Sequence, residues 1–274
     1  MRAEVAVITA LGLALGAGAC EGQRAAPAAA PARTITYDGA TSISSRLLPL
    51  ALPALEQRTG VKLQVERSGT GKGLKAMFAG QADVAGLARA LTPEERSQRP
   101  FVAIIGYDAL GVWVHEANPI KALTRAQLRD LFTGKITNWK QLGGKDLPVL
   151  ACTEHLLSER ATLEAFRLLA LEGGAFGPVK QLEDPSDCLK LVAKEPGGIT
   201  PATVAYGIAG VHTLQIDGLN PVPEHIRTST YPLTRPLLLI TRDVPTGPVK
   251  EFIDFMVSSE GQALVAQAGF VPAR

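Results

Sequence analysis

The stretch Thr34–Arg89, TITYDGATSISSRLLPLALPALEQRTGVKLQVERSGTGKGLKAMFAGQADVAGLAR, decides the fold. Thr34–Asp38 reads as a strand and runs into the turn Gly39-Ala40-Thr41-Ser42. A helix is expected from about Ser44 to Arg58, with Leu47, Leu48, Ala51 and Leu55 on one side. Pro49 and Pro53 interrupt it, so it should begin late or kink. Val61–Glu66 alternates as a strand, Ser68-Gly69-Thr70-Gly71 opens a helix through Ala79, and Asp83–Leu87 is a short apolar strand. A β-α-β-α-β run of this kind predicts a mainly parallel sheet with helices on both faces. Ligands of open α/β sheets sit outside the carboxyl ends of strands, beside helix N-termini. The two small-residue turns are therefore candidate site elements.

The pattern continues beyond Arg89. Phe101–Val114 is a long apolar stretch suited to crossing between two domains, and Tyr231–Thr241 is strand-like and suited to the return. Between them, Gln127–Phe132 has helical spacing, Pro148–Cys152 reads as a strand, Ser158 starts a helix, and Ser186–Ala193 forms another. Near the end, Val249, Phe252, Ile253 and Met256 define an amphipathic helix. Two α/β lobes follow, the first made of residues 34–107 plus 232–274 and the second of residues 108–231, each a mainly parallel sheet flanked by helices. Two crossings between lobes imply a cleft, to which Thr153–Arg160 would add a third strand-to-helix turn.

Composition is that of a globular protein. The 274 residues include 28 Lys+Arg and 26 Asp+Glu, and 46% are hydrophobic. Disorder is excluded by the apolar content, and nucleic-acid binding through bulk charge by the net charge of only +2. Val5–Ala19 follows Arg2, is too short for a comfortable span and ends in small residues, the layout of a secretory signal over residues 1–19. Cys20 comes next, as in a bacterial lipobox where the cysteine is lipidated, although Ala17 stands where that pattern prefers Leu. Ordinary cleavage at the same place is the alternative. Residues 20–33 form an Ala/Pro-rich tether without a period. In an exported chain, Cys152 and Cys188 are compatible with one disulfide or with two buried thiols.

The turns themselves carry anion chemistry. Gly39–Ser42 and Ser68–Gly71 offer hydroxyls and unpaired backbone N–H groups at helix starts, where an oxyanion binds without Lys or Arg. Plain N-capping is the bland reading of either turn alone. A nucleotide P-loop fails at Gly69-Thr70-Gly71-Lys72, because Glu66 stands where Gly is required and Gly73 follows Lys72. There is no Gly-x-Ser-x-Gly elbow, and His115, His155, His212 and His225 are scattered. No catalytic residue, metal site or cofactor is expected.

Three stretches carry a family resemblance: Leu123–Leu147 (LTRAQLRDLFTGKITNWKQLGGKDL), the tail PVKEFIDFMVSSEGQALVAQAGFVP, and Ser68–Arg89. With them the mature chain resembles the phosphate-binding proteins of bacterial ABC importers, which have the type II periplasmic binding fold. The resemblance implies a non-enzymatic, monomeric, extracytoplasmic binder of phosphate or a similar tetrahedral oxyanion. Its partner would be an ABC permease in the inner membrane, and Cys20 would tether it to the membrane if lipidated. It maps ligand contacts onto Ala40, Thr41, Ser42, Ser68, Gly69, Thr70 and Gly71, with Arg89 as charge partner. Ala88 stands where the family has Ser or Asp. In the second lobe Ser158 and Arg160 are the candidates, with Leu157-Ser158-Glu159 in place of Ser-Gly-Thr, and Glu159 would repel an anion if it faced the cleft. A further departure is Gly198-Ile199-Thr200-Pro201, where the family has Gly-Tyr after the Ile. The other reading is a degenerate homologue that acts as a sensor or surface interaction protein.

Overall fold

The computed structural model of the chain describes residues 33–158 and 160–274. The leader, Cys20, the tether up to Ala32 and Glu159 lie outside the described residues. The first lobe opens with β1 (Thr34–Gly39), α1 (Leu48–Thr59), β2 (Lys62–Val65), α2 (Thr70–Phe78), β3 (Val84–Leu87) and α3 (Pro93–Ser97). The strand β4 (Phe101–His115) leads on to β5 (Ala122–Leu123), α4 (Arg125–Phe132), β6 (Leu150–Glu154), α5 (Ala161–Leu169), β7 (Lys180–Leu182) and α6 (Pro185–Val192). Then come β8 (Gly198–Thr203), β9 (Val211–Thr213), β10 (Gln215–Ile216) and α7 (Pro223–Arg227). The return strand β11 (Thr234–Thr241) is followed by α8 (Gly247–Val257), α9 (Ser259–Gln267) and β12 (Val271–Pro272).

β1 lies between β2 and β3, parallel to both, and β6 lies between β7 and β8, again parallel. Joining these two parallel groups are β4 and β11, which run antiparallel to each other. β4 pairs with β11 through its first half and with β8 through Leu110–Val114. Its 15 residues span roughly 50 Å at the rise of an extended strand, enough to belong to both lobes. The apolar side chains bury themselves accordingly. Tyr37, Ile43, Leu47, Leu55, Leu237, Phe252 and Met256 share one core. Leu110, Val112, Leu128, Phe132, Trp139, Phe166 and Leu233 share another, with the Phe132 and Phe166 rings edge-to-face at 4.7 Å.

Local chemistry explains where the structure departs from expectation. Helical backbone begins at Thr41 rather than late, and widens into a π-helical turn over Ile43–Leu47. The Leu48 N–H bonds back to the Ile43 carbonyl, so the chain accommodates Pro49, which has no N–H to give, in the first turn of α1. β6 extends two residues past Cys152 because Thr153 and Glu154 find partners in β7. α5 consequently starts at Ala161, with Arg160 as its extended N-cap residue, rather than at Ser158. The Glu154 carboxylate closes that helix start from outside, accepting the Leu163 N–H at 3.1 Å.

Cys152 in β6 and Cys188 in α6 are joined by a disulfide with a Cα–Cα distance of 5.7 Å. The bridge pins α6 beneath the strand that carries Glu154. Closing a loop of 36 residues stabilises the fold by about 3–4 kcal/mol in the chain-entropy account. Intact mass after alkylation should show no modified thiol at these positions until a reductant is added. Two alkylated thiols in its absence would count against the bridge.

Candidate functional site

An ion pair buried between the two crossing strands organises the site. Arg235 of β11 and Asp108 of β4 are register partners. Arg235 donates to the Asp108 Oδ2 through Nη2 at 2.7 Å and Nε at 3.0 Å. The Thr203 hydroxyl donates to Asp108 Oδ1 at 2.6 Å, and Arg235 Nη1 reaches the Thr162 hydroxyl on α5 at 3.3 Å. The polar faces of both halves of the molecule therefore meet on one guanidinium.

Around it three helix starts converge on a niche with about 30 Å³ open to the centres of water molecules. Thr41 and Ser42 begin the helical run after β1, Gly69 caps α2, and Ala161 and Thr162 begin α5. Glycine is required at the second of these. Gly69 has φ +98°, in the left-handed region, and its N–H donates to the Gly39 carbonyl at 3.2 Å, which locks the two turns of the first lobe side by side. Gly73 holds α2 against β1, since a Cβ there would lie 2.7 Å from the Asp38 and Gly39 backbone. Arg160, Glu154, Asp184, Thr203 and Tyr206 complete the wall. The first N–H groups of a helix lack intrahelical acceptors and carry partial positive charge, so the niche is suited to an anion.

Of the residues expected to bind, Thr41, Ser42, Gly69 and Arg160 are in this wall. Several others are engaged elsewhere. The Ala40 N–H donates to the Gly86 carbonyl at 2.8 Å, so that amide is already committed. Ser68 donates its hydroxyl to Asp38 at 2.6 Å, and its amide bonds to the same carboxylate at 3.0 Å. The fully buried Thr70 hydroxyl accepts the Ala88 N–H at 3.4 Å. Ser68 and Thr70 thus tie the α2 turn to β1 and β3. Gly71 faces a separate, larger cavity. Ser158 has a buried hydroxyl without a hydrogen bond and belongs to the wall of neither space.

Arg89 lies outside the niche as well. Its guanidinium forms a bidentate pair with Glu95 at 2.7 and 2.8 Å, and its Nε lies 2.7 Å from Glu164 on α5. With its side chain only 4% exposed, that charge is spent on carboxylates. Arg160 is similarly held, 3.1 Å from Asp184 and 3.7 Å from Glu154. The residues that sequence reading passed over are Arg235, Asp108, Glu154, Thr162 and Thr203. Two of them left a signal, since Asp108 and Arg235 interrupt apolar strands, where a charge survives only when paired.

Residues 25–260 match the model of the PBP superfamily domain. The chain is similar to the phosphate-binding protein PstS of Bacillus subtilis strain 168, with 28% identity over 247 residues, 87% of this chain and 80% of that protein. Among solved structures, an ABC-type phosphate transport receptor from Vibrio cholerae has a TM-score of 0.79 at 27% identity, over 86% of this chain and 99% of its own. A Clostridium perfringens protein described as a phosphate ABC transporter substrate-binding protein, solved with bound phosphate, has a TM-score of 0.78 at 27% identity, over 88% and 100%.

Glu154 is the unusual group of the niche. It is 3% exposed, and its Oε2 has no hydrogen-bond partner. Burial pushes its carboxyl up from 4.5 to about 7, against the opposing pull of Arg160. Between those values the folded protein holds a proton that the unfolded chain releases, so stability falls as pH rises from about 4.5 to 7 and then levels off. Glu154→Gln keeps the acceptor for Leu163 and removes the titration. The variant should match the wild type near pH 4 and exceed it at pH 8 by up to about 3 kcal/mol, read from urea unfolding across that range. Parallel profiles would show that folding leaves the Glu154 carboxyl at its ordinary pKa.

Proposed function

The chain belongs to the PBP superfamily, and from that premise we propose that it is an extracytoplasmic solute-binding protein that captures phosphate, or a related tetrahedral oxyanion, for an ABC importer. The observation that carries this reading is the convergence of the Thr41, Gly69 and Ala161 helix starts on one small niche beside Arg235. Thr41 and Ser42 serve from the first lobe, residues 34–107 with 232–274, and Gly69 shapes the wall beside them. Ala161 and Thr162 serve from the second, residues 108–231, with Arg160 in the wall and paired to Asp184. Amide N–H groups and hydroxyls donate to the oxyanion as the lobes close, and no bond is made or broken. Ser68, Thr70 and Arg89 support the walls. The relatives, a phosphate-binding protein and a phosphate transport receptor, support transport over a sensor without cargo.

In this reading the protein acts as a monomer, is exported by its leader and is held at the membrane through Cys20, and its partner is the permease of the importer. Among the described residues no helix is long and apolar enough to cross a membrane. Cys20→Ser should move the protein from the membrane pellet to the soluble fraction of the expressing cell. A variant that stays in the pellet would point to another anchor.

The ligand is tested by calorimetry on the full chain, stripped of bound solute by unfolding and refolding, with phosphate, sulfate and molybdate in turn. One-site binding of phosphate is expected. The double variant Thr41→Ala, Ser42→Ala should weaken it at least tenfold, because hydrogen bonds to charged groups contribute about 1.5–3 kcal/mol each. Absence of heat with every oxyanion, from protein shown to be folded, would overturn the reading.

A further inference from the structure

Glu154 lines the niche, an unusual place for an acid in a site suited to an anion. Its Oε1 accepts the Leu163 N–H at 3.1 Å, while Oε2 is buried without a hydrogen bond. Arg160 Nη1 stands 3.7 Å from Oε2, beyond hydrogen-bonding reach. As a carboxylate, Glu154 therefore keeps one oxygen uncompensated. As a neutral carboxyl it has its acceptor in use and one O–H still to give.

The surrounding charges decide between the two forms once an anion arrives. Both cations of the niche are already matched. Arg235 of β11 lies 2.7 Å from Asp108 of β4, and Arg160 lies 3.1 Å from Asp184, the N-cap residue of α6. From the first lobe, Thr41 and Ser42 bring hydroxyls and no charge, and burial holds the Tyr206 phenol neutral. An ionised Glu154 and an oxyanion would thus share one small space with no cation to spare. A single proton removes the conflict. We propose that Glu154 takes up a proton as the oxyanion enters and that its Oε2–H donates to the ligand, so that anion capture is coupled to proton uptake. The inference rests on the oxyanion reading of the niche and adds the regulation of that site by pH. The proton comes from solvent and returns there on release, and the ligand itself is unchanged. The anion favours the protonated form, so affinity is full below the carboxyl's own pKa of about 7 and falls as pH rises through it. Asp184 pushes that pKa up, whereas Arg160 and Arg235 hold it down.

The test is calorimetry of ligand-stripped full-length protein with inorganic phosphate at pH 8 and pH 9, where the free anion is almost wholly dianionic. Buffers of different ionisation heat count the protons exchanged. The wild type should take up close to one proton per phosphate, and its affinity should fall roughly tenfold between the two pH values. Glu154→Gln keeps an acceptor for Leu163 and offers the anion an amide N–H that needs no proton. Its uptake should be near zero, its affinity unchanged over the interval, and at pH 9 at least tenfold above the wild type. Arg160→Gln removes a cation that favours the carboxylate and should move the onset of the fall to higher pH. Circular dichroism would confirm that each variant is folded. Good phosphate binding by the wild type with no uptake and no pH dependence would overturn the inference and leave the oxyanion reading intact. Uptake that persists in Glu154→Gln would place the proton on another group or on the ligand, and would overturn it as well. Should that variant fail to fold, an onset unmoved in Arg160→Gln would overturn the assignment to Glu154. Failure of the wild type to bind phosphate even at pH 6 would overturn both readings.

Discussion

The Arg235–Asp108 pair is the constraint on which the rest of the molecule depends. Its side chains are 1% and 0% exposed, so both charges have been taken out of water at a cost of several kcal/mol each. That cost is offset because the partners occupy register positions on adjacent strands, where the ladder sets two N–H groups of Arg235 on the one oxygen Oδ2 of Asp108. Asp108 fills its remaining capacity with the Thr203 hydroxyl and the Ala109 amide. Arg235 also donates through Nη1 to Thr162, the second residue of α5. One guanidinium thus relates the crossing strands to the helix start that faces the first lobe. Leaving either charge without the other would cost about 3–5 kcal/mol, a large part of a domain's net stability.

The same economy governs the other cations near the cleft. Arg89 is held by Glu95 and Glu164, and Arg160 by Asp184 and Glu154. With each guanidinium committed to carboxylates, and a net charge of only +2, long-range attraction of an anion is weak. In the function proposed here, affinity comes from short-range donors fixed in place, the amides and hydroxyls at the helix starts, which act only on a ligand already in the niche. Glu154 adds a condition of its own. A buried carboxyl that titrates near neutrality makes the charge of the niche depend on pH within the physiological range.

The two Gly-rich turns were legible because a strand ending in small residues before a helix has few other uses. Arg89 stands apart from the niche for a reason the linear chain conceals. Glu95 lies six residues away and Glu164 on another lobe, and nothing in the spacing announces that both converge on one guanidinium. Ser68 and Thr70 show the same limit. As residue types they suit an anion, yet Asp38 and the Ala88 amide reach them first.

Periodicity, turn chemistry and the two long apolar strands were enough to determine the α/β architecture, the two crossings and the order of elements, because these follow from local propensity and from the need to bury one face of each element. Which groups remain available to a ligand was decided only in three dimensions. Hydrogen-bonding capacity is finite, and a hydroxyl or guanidinium satisfied by a neighbour distant in sequence has little left to offer. The tertiary structure therefore places Thr41, Ser42 and Thr162 on the niche and engages Ser68, Thr70, Arg89 and Arg160 with other partners.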